Sequence, residues 1–506
     1  MQLADLVACS NAVAATRARG KKTEAIAATL AAAAAEERPL AALWLAGQLR
    51  QDKIGVGFAQ VRDALASAAA ATATLTLADV DGVLATVAET RGAGSAARRQ
   101  QELAALFARA TEPEQQFLAG LLTGELRQGA LESLVLDAIA RAVNLPPAAI
   151  RRAQMLASDL RAVVTAAFTE GAAGVARFDL QLLRPIQPML ASPAADVADA
   201  LAQLPKAAFE WKLDGVRMQV HRCFDDVRIF SRTQNDITGS LPNVATLVRA
   251  LPARELVLDG EVIALGGDGR PARFQDTMKA LGEQGRPMSP FFFDCLYRDG
   301  VNLLDAPTED RVAALREVCH ASNLVPRLVT TDLAAAEQFL ADALARGHEG
   351  LMAKDPAAPY AAGRRGASWL KIKQAHTLDL VVLAAEWGSG RRRGFLSNLH
   401  LGARDPDTGG FVMLGKTFKG LTDEMLRSQT EALLARETHR EGHVVFVRPE
   451  LVVEIAFNDV QTSPHYPGGM ALRFARVKRY RDDKIAADAD TIAALRALHA
   501  RGGDAG

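Results

Sequence analysis

Glu210-Trp211-Lys212-Leu213-Asp214-Gly215-Val216-Arg217 carries a K-x-D-G motif followed by an arginine, inside a β-rich run at 209–222. Alone, it reads as a lysine ahead of an ordinary Asp-Gly turn. Its weight comes from the segments downstream of it, in order: Ser231-Arg232-Thr233, Asp259-Gly260-Glu261, Phe293-Asp294, Glu349-Gly350-Leu351-Met352-Ala353-Lys354 and Trp369-Leu370-Lys371-Ile372-Lys373. Lys371 and Lys373, two apart on a strand, point to one face, as convergent phosphate ligands should.

Outward from the motif, further short β-rich runs (227–231, 256–265, 290–297) alternate with helical segments such as 245–251 and 311–319, which predicts a mixed α/β domain over 184–374. Upstream, 3–183 shows apolar residues at three and four spacing with alanine-rich faces, as at 102–110 and 131–142, and predicts an all-α domain over 1–183. The alanine run 66–73 reads as helix plus connection. Arg184-Pro185-Ile186-Gln187-Pro188 marks the boundary, because two prolines remove donors that a helix needs. Downstream, strands at 378–386, 399–403, 411–417 and 452–460, with Gly-rich turns and one helix near 422–436, suit a small OB-like β barrel over 375–506 with a C-terminal helical tail.

The chain has 506 residues, more than one hydrophobic core serves, so about three domains are expected. With 49% hydrophobic and 23% charged residues it can fill several cores, which excludes disorder as its main state. Net charge is zero, so a polyanionic partner would be met through patches; 470–484 holds six basic residues against two acidic ones. Cys9, Cys223, Cys295 and Cys319 are scattered, which indicates neither a disulfide framework nor a zinc knuckle. No basic leader and no long uncharged apolar run is present, so a cytoplasmic, unexported protein with no membrane partner is expected.

Taken in order, the blocks resemble those of the covalent nucleotidyltransferases and, within them, the three-domain ATP-dependent DNA ligases of bacteria and archaea. The resemblance is specific from Phe209 to Lys484 and implies a multidomain fold: an all-α DNA-binding domain, an α/β nucleotidyltransferase (adenylation) domain and a β OB-fold domain. It implies that nicks in duplex DNA are sealed at the expense of ATP, with Lys212 as the nucleophile that carries AMP. Such an amine must be uncharged to attack the α-phosphate, and neighbouring cations and a metal favour that form while stabilising the transferring group. Lys371, Lys373 and Mg²⁺ would supply the field. Mn²⁺ is equally compatible with oxygen ligands. Glu349 is the first metal candidate and Glu261 the second, although Glu261 also matches a ribose-binding position. Glu210 stands where the family reads the base, Phe293 where it stacks on adenine, and Asp214 where it orients the lysine loop. Arg217 and Arg232 match sugar and phosphate contacts, and Arg365, six residues before Lys371, a further nucleotide contact. Phe293 belongs to the triplet Phe291-Phe292-Phe293, which a core strand would equally use. Trp369 reads as core.

Near the C-terminus, Arg473-Phe474-Ala475-Arg476-Val477-Lys478-Arg479-Tyr480-Arg481-Asp482-Asp483-Lys484 resembles the last block of DNA ligases, and implies that Arg481, Asp483 and Lys484 come over the ATP β and γ phosphates. A domain that visits the site and leaves needs a hinge, expected at 373–377. Candidate DNA contacts are Arg391 and the pair Lys416 and Lys419 in the third domain, and Gly124, Arg127 and Gly129 in the first, where 120–131 resembles the ligase DNA-binding domain. The expected partner is nicked double-stranded DNA, gripped by a monomer that is nucleoid-associated when bound. Competing readings are RNA joining, RNA capping, and a DNA-binding relative without catalysis.

Overall fold

The structure, a computed structural model, describes residues 1–51, 54–126, 128, 132–267, 269–272, 274–282, 288–361, 365–373, 376–389 and 392–501, with backbone alone at 365–367, 500 and 501. Its first part is helical: ten helices among the described residues run from Leu3–Ala14 to Leu160–Ala176. Their apolar stripes make one core, with Leu6, Trp44, Phe107, Ile139 and Val163 fully buried. Helix Glu132–Ala142 shows why: Leu134, Val135, Ala138 and Ile139 recur on one face and all are buried. Residues 66–73 depart from the expected helix. Helix Phe58–Ala64 ends before them, and no helix begins again until Leu77. The Ala70 N–H donates to Ala110 O at 2.9 Å, so a long-range backbone bond overrides alanine's helix propensity.

Two five-stranded sheets form the middle part. The first has the order Leu190–Pro193, Arg365–Lys373, Gly350–Lys354, Ala207–Lys212, Arg327–Thr330; the second runs Asp226–Ser231, Val216–Cys223, Glu255–Ile263, Ser289–Arg298, Val301–Asn302. The chain passes from one sheet to the other through Leu213-Asp214-Gly215, the turn of the K-x-D-G motif. Behind the first sheet, Phe209, Leu351, Ala353, Leu370 and Ile372 pack on helices Val197–Gln203 and Leu333–Ala345. Behind the second, Met218, Val220, Leu258 and Phe292 pack with Val244 and Val248 of helix Pro242–Arg249 and Leu315 and Val318 of helix Thr308–Val318. Both sheets thus bury one face on helices and turn polar residues of the other toward the space between them.

The proline-rich stretch docks the helical part onto the middle one. The Ile186 N–H donates to Gln219 Oε1 at 2.8 Å, Gln219 Nε2 donates to Ile186 O at 3.2 Å, and Met155 and Leu156 pack with Ile186, Met189 and Leu296.

In the last part, strand His376–Trp387 is the spine of a seven-stranded sheet, pairing with Leu396–Arg404, Val444–Val447 and Val452–Phe457. Helix Asp423–Leu434 buries Leu426 and Leu433 in its core. The strand expected over 452–460 is two: Val452–Phe457 stays in this sheet, and Asp459–Thr462 pairs with Met470–Arg473.

Candidate active site

Register brings the motif residues together. Lys212 is opposite Gly350 on one side of strand Gly350–Lys354, and Lys373 is opposite Gly350 on the other. Glu349 precedes that glycine, and its N–H donates to Lys212 O at 3.0 Å. Its carboxylate is therefore flanked by two ammonium groups: it forms an ion pair with Lys212 and accepts from Lys373 Nζ at 2.7 Å. Gly350 makes the approach possible, since its φ is +141° and a Cβ there would lie 2.2 Å from Ile372 O. Gly215 shares the lack of room, though not the positive φ: its Cβ position falls 2.3 Å from Val262 O, and its N–H donates to Glu261 Oε1 at 2.7 Å.

At the deep end, Glu210 is buried and receives two cations, Arg327 Nη1 at 2.9 Å and Lys354 Nζ at 2.6 Å. The Lys354 ammonium also sits 4.4 Å from the Phe293 ring centroid and 4.3 Å from that of Trp369, a cation–π cradle. Strand alternation resolves the phenylalanine triplet: Phe292 enters the core while Phe293 lines the cavity. Trp369 is buried as expected, and it lines the cavity as well, packed edge-on against Phe293.

On the second sheet, Arg217 makes a forked pair with Asp259, at 3.0 and 2.6 Å, and donates to Met189 O at 2.6 Å. Tyr360 Oη donates to Asp259 Oδ2 at 2.8 Å, which fixes the carboxylate that orients Arg217. Burial alone would disfavour the arginine's charge, but Asp259 more than offsets it and raises the Arg217 pKa.

Between the sheets lies a cavity of about 480 Å³, lined by Lys212, Glu210, Arg217, Arg232, Glu261, Phe293, Glu349, Lys371 and Lys373 among others. Its charges shift one another. Burial pushes the Glu261 carboxyl above its ordinary range, against the pull of Lys212. Burial works the same way on Glu349, but Lys212 and Lys373 hold it below that range. Lys373 is lowered by burial and then by Lys212, while Asp214 is raised by burial and by Glu349. A cleft with Lys212 and Lys373 around Glu349 in one part and the Phe293 ring beside the cation-paired Glu210 in another offers both charge for phosphates and a ring face for a base.

Three family models match, together covering more than half of the chain: the ATP dependent DNA ligase domain over residues 188–373, the ATP dependent DNA ligase C terminal region over 392–484, and the DNA ligase N terminus over 69–140. A probable DNA ligase of Anaeromyxobacter sp. (strain Fw109-5) is 58% identical, the match covering 99% of this chain and 98% of that one. The chain belongs to the ATP-dependent DNA ligase family. A probable DNA ligase of Mycolicibacterium gilvum (strain PYR-GCK) is 56% identical over 99% of this ligase and 100% of its own length. The solved structure named Pmar-Lig_PreS3 shares the fold, with a TM-score of 0.61 at 20% identity, covering 94% of the ligase and 99% of that chain.

Not every residue singled out in the sequence meets at the cavity. Arg481 and Lys484, expected over the phosphates, instead pair with Asp379 at 2.9 and 2.6 Å, and Asp483 is paired with Arg481. The reason is local: the buried Asp379, on the spine strand, collects the nearest cations. What the last block sends into the site is Arg473, which pairs with Asp214 at 2.6 Å and lines the cavity beside Phe474. Lys416 pairs with Glu386, and the Lys419 ammonium lies 5.4 Å from the Phe474 ring centroid. Gly124 ends helix Glu112–Thr123 in the left-handed conformation, φ 69°. Arg127, Gly129 and Arg391 lie outside the described residues, as do 374 and 375 of the expected hinge, and the Arg365 side chain is likewise undescribed. Sequence reasoning assigned nothing to Arg327, Lys354, Asp259 or Tyr360. Lys354 and Asp259 stand inside the motif blocks, whereas Arg327 and Tyr360 carry no local signal.

No described helix is long and apolar enough to cross a membrane.

Proposed function

We propose that Lys212 carries AMP from ATP to the DNA. In the first step its Nζ gives up a proton and attacks the α-phosphorus; a P–N bond forms, the bond to the β-phosphate oxygen breaks and pyrophosphate leaves. An oxygen of the DNA 5′-phosphate then attacks the same phosphorus, returning the lysine amine. Finally the 3′-hydroxyl attacks the 5′-phosphate, AMP leaves, and the nick is closed.

The observation that carries this reading is the row Lys212, Glu349, Lys373, one side chain from each of three neighbouring strand ends. Lys371 and Lys373 supply positive charge to the α-phosphate. Phe293 stacks on adenine, Glu210 accepts from its amino group, and Arg217, Arg232 and Arg365 hold sugar and phosphates. Glu349 and Glu261 offer hard oxygen donors, and two carboxylates suit Mg²⁺ or Mn²⁺, which keep several waters. When bound, such an ion neutralises charge on the triphosphate.

In the same reading 1–183 is a DNA-binding domain, 184–374 the adenylation domain and 375–506 an OB fold, closing as a monomer around nicked duplex DNA in the cytoplasm. Gly124, Arg127, Gly129, Arg391, Lys416 and Lys419 are the proposed contacts to DNA phosphates, and Arg481, Asp483 and Lys484 reach the nucleotide only after the third domain reorients. Incubation with α-labelled ATP and Mg²⁺ tests the core claim. A labelled band is expected for the wild type and none for Lys212→Ala; label retained in that variant, or found by mass spectrometry on another residue, overturns it.

A further inference from the structure

Tyr360 lies between strands Gly350–Lys354 and Arg365–Lys373, outside every motif block, and its side chain is buried. Its hydroxyl ties together three separate segments. It donates to Asp259 Oδ2 at 2.8 Å, and it accepts from the Met189 N–H at 3.0 Å and from Arg217 Nη2 at 3.3 Å. The donor and both lone pairs of the hydroxyl are thus engaged.

The same bonds settle what Arg217 has left to give. A guanidinium carries five N–H donors in one rigid plane. Nε donates to Asp259 Oδ1, Nη2 to Asp259 Oδ2 and to Tyr360 Oη, and Nη1 to Met189 O, which together take four of them. The fifth, on Nη1, has no partner among the described residues. Arg217 lines the nucleotide cavity, and its side chain is 16% exposed, so this N–H is the one it can offer a bound molecule. The guanidinium lies 5.6 Å from the Phe293 ring centroid, and its cross-strand neighbour is Glu261. Next to a ring that holds the base, the adjoining group of a nucleotide is its sugar.

We propose that Tyr360 is a positioning residue for sugar selection. It occupies the second Nη2 donor, braces Asp259, and holds the Met189 peptide whose carbonyl takes Nη1. What remains is one N–H of Arg217, set toward the ribose hydroxyls. Tyr360 does not line the cavity, so it acts through Arg217 alone. Without its hydroxyl the guanidinium keeps its charge and its fork to Asp259, but it gains a second free N–H and loses its brace. Attraction for the triphosphate then survives while the direction of the hydrogen bond to the sugar does not. The connection from the helical part is drawn into the same network, since both polar groups of Met189 are bonded in it. The inference rests on the reading that ATP fills the cavity with its sugar at Arg217.

The test is single-turnover formation of enzyme–AMP by the full-length protein in a rapid-quench experiment. The substrates are ATP and 2′,3′-dideoxyATP, which lacks both sugar hydroxyls, each labelled at the α-phosphate. The wild type should prefer ATP by about tenfold or more in rate constant over dissociation constant, because a site that bonds a hydroxyl rejects an analogue without it. Tyr360→Phe keeps the ring packed edge-on against Trp369. In that variant the preference should shrink to roughly threefold or less, with the whole change on ATP and none on the dideoxy analogue. Should the phenylalanine variant not fold, 4-aminophenylalanine in place of Tyr360 carries the same expectation, because its amine donates to Asp259 but accepts poorly from Arg217 and Met189. Wild-type preference retained in the variant overturns the role of Tyr360, and so does an equal fall for both nucleotides, which is what a merely structural loss produces. Equal use of the two nucleotides by the wild type overturns instead the placement of the sugar on which the inference stands.

Discussion

Glu349 shows how much a single side chain can be asked to do. Its carboxylate is shared by two ammonium groups, and in the proposed reaction the balance between them sets the charge around the transferring phosphate. Lys373→Met removes one partner and one cation from the phosphate field. Lysine–AMP formation in a rapid-quench experiment should fall about a hundredfold, the usual scale for one transition-state charge contact, with ATP affinity changing much less. A change below threefold would remove Lys373 from the chemistry. Glu386 makes a separable case in the third part. Burial would raise its pKa, but Lys416, His400 and Asn398 hold it down at about 2 against an ordinary 4.5. A depressed carboxylate stabilises the fold above its unfolded pKa and loses that contribution as pH falls through its folded one. Thermal stability should therefore decline between about pH 4.5 and about 2, and Glu386→Gln should be less stable at neutral pH with a flatter profile. Parallel profiles for the two proteins would refute the assignment.

Among the elements, the pairing of strand Ser289–Arg298 with helix Thr308–Val318 depends on a salt bridge with no exposure to water. Arg311 forks onto Asp294 at 2.8 and 3.0 Å, both side chains fully buried. Breaking such a pair strands a charge, at a cost of about 3–5 kcal/mol, whereas replacing both partners is close to neutral. Urea unfolding followed by tryptophan fluorescence can test this, because Trp211 and Trp369 both lie in the middle sheets. Arg311→Met should unfold at markedly lower urea and Asp294→Leu/Arg311→Met should recover most of the loss; equal loss in both would mean that packing, and not charge, is at stake. This pair also marks what periodicity reveals. The Phe293-Asp294 block and the helical pattern at 311–319 were each legible as local features. That Asp294 meets Arg311 was not, since nothing within a strand or a helix specifies the partner across the gap. The alanine run 66–73 failed for a related reason: propensity summed over a window is a weak prior once a distant carbonyl competes for the N–H.

At the scale of the whole molecule, the decisive contact joins residues 259 positions apart: Arg473 Nη1 donates to Asp214 Oδ2 at 2.6 Å. Arg473 also lies 4.5 Å from the Phe274 ring centroid, so one cation of the third part meets both a carboxylate and an aromatic face of the middle part. Arg473→Glu sets like charges against each other, and small-angle scattering of the free protein should show a larger radius of gyration that grows no further with salt. An unchanged radius would mean that other contacts hold the two parts together.

The sequence by itself determined the chemistry and most of the elements. Lysines, carboxylates and glycines had to stand at set spacings along individual strands, and spacing within one segment survives any folding. Only the tertiary structure decided which charges neutralise which: that Asp379 takes Arg481 and Lys484, that Arg473 takes Asp214, and that Arg327 and Tyr360 join the site. Ion pairs form between side chains whose distance is set by strand register and packing of separate elements, and neither quantity is written in any local run of residues.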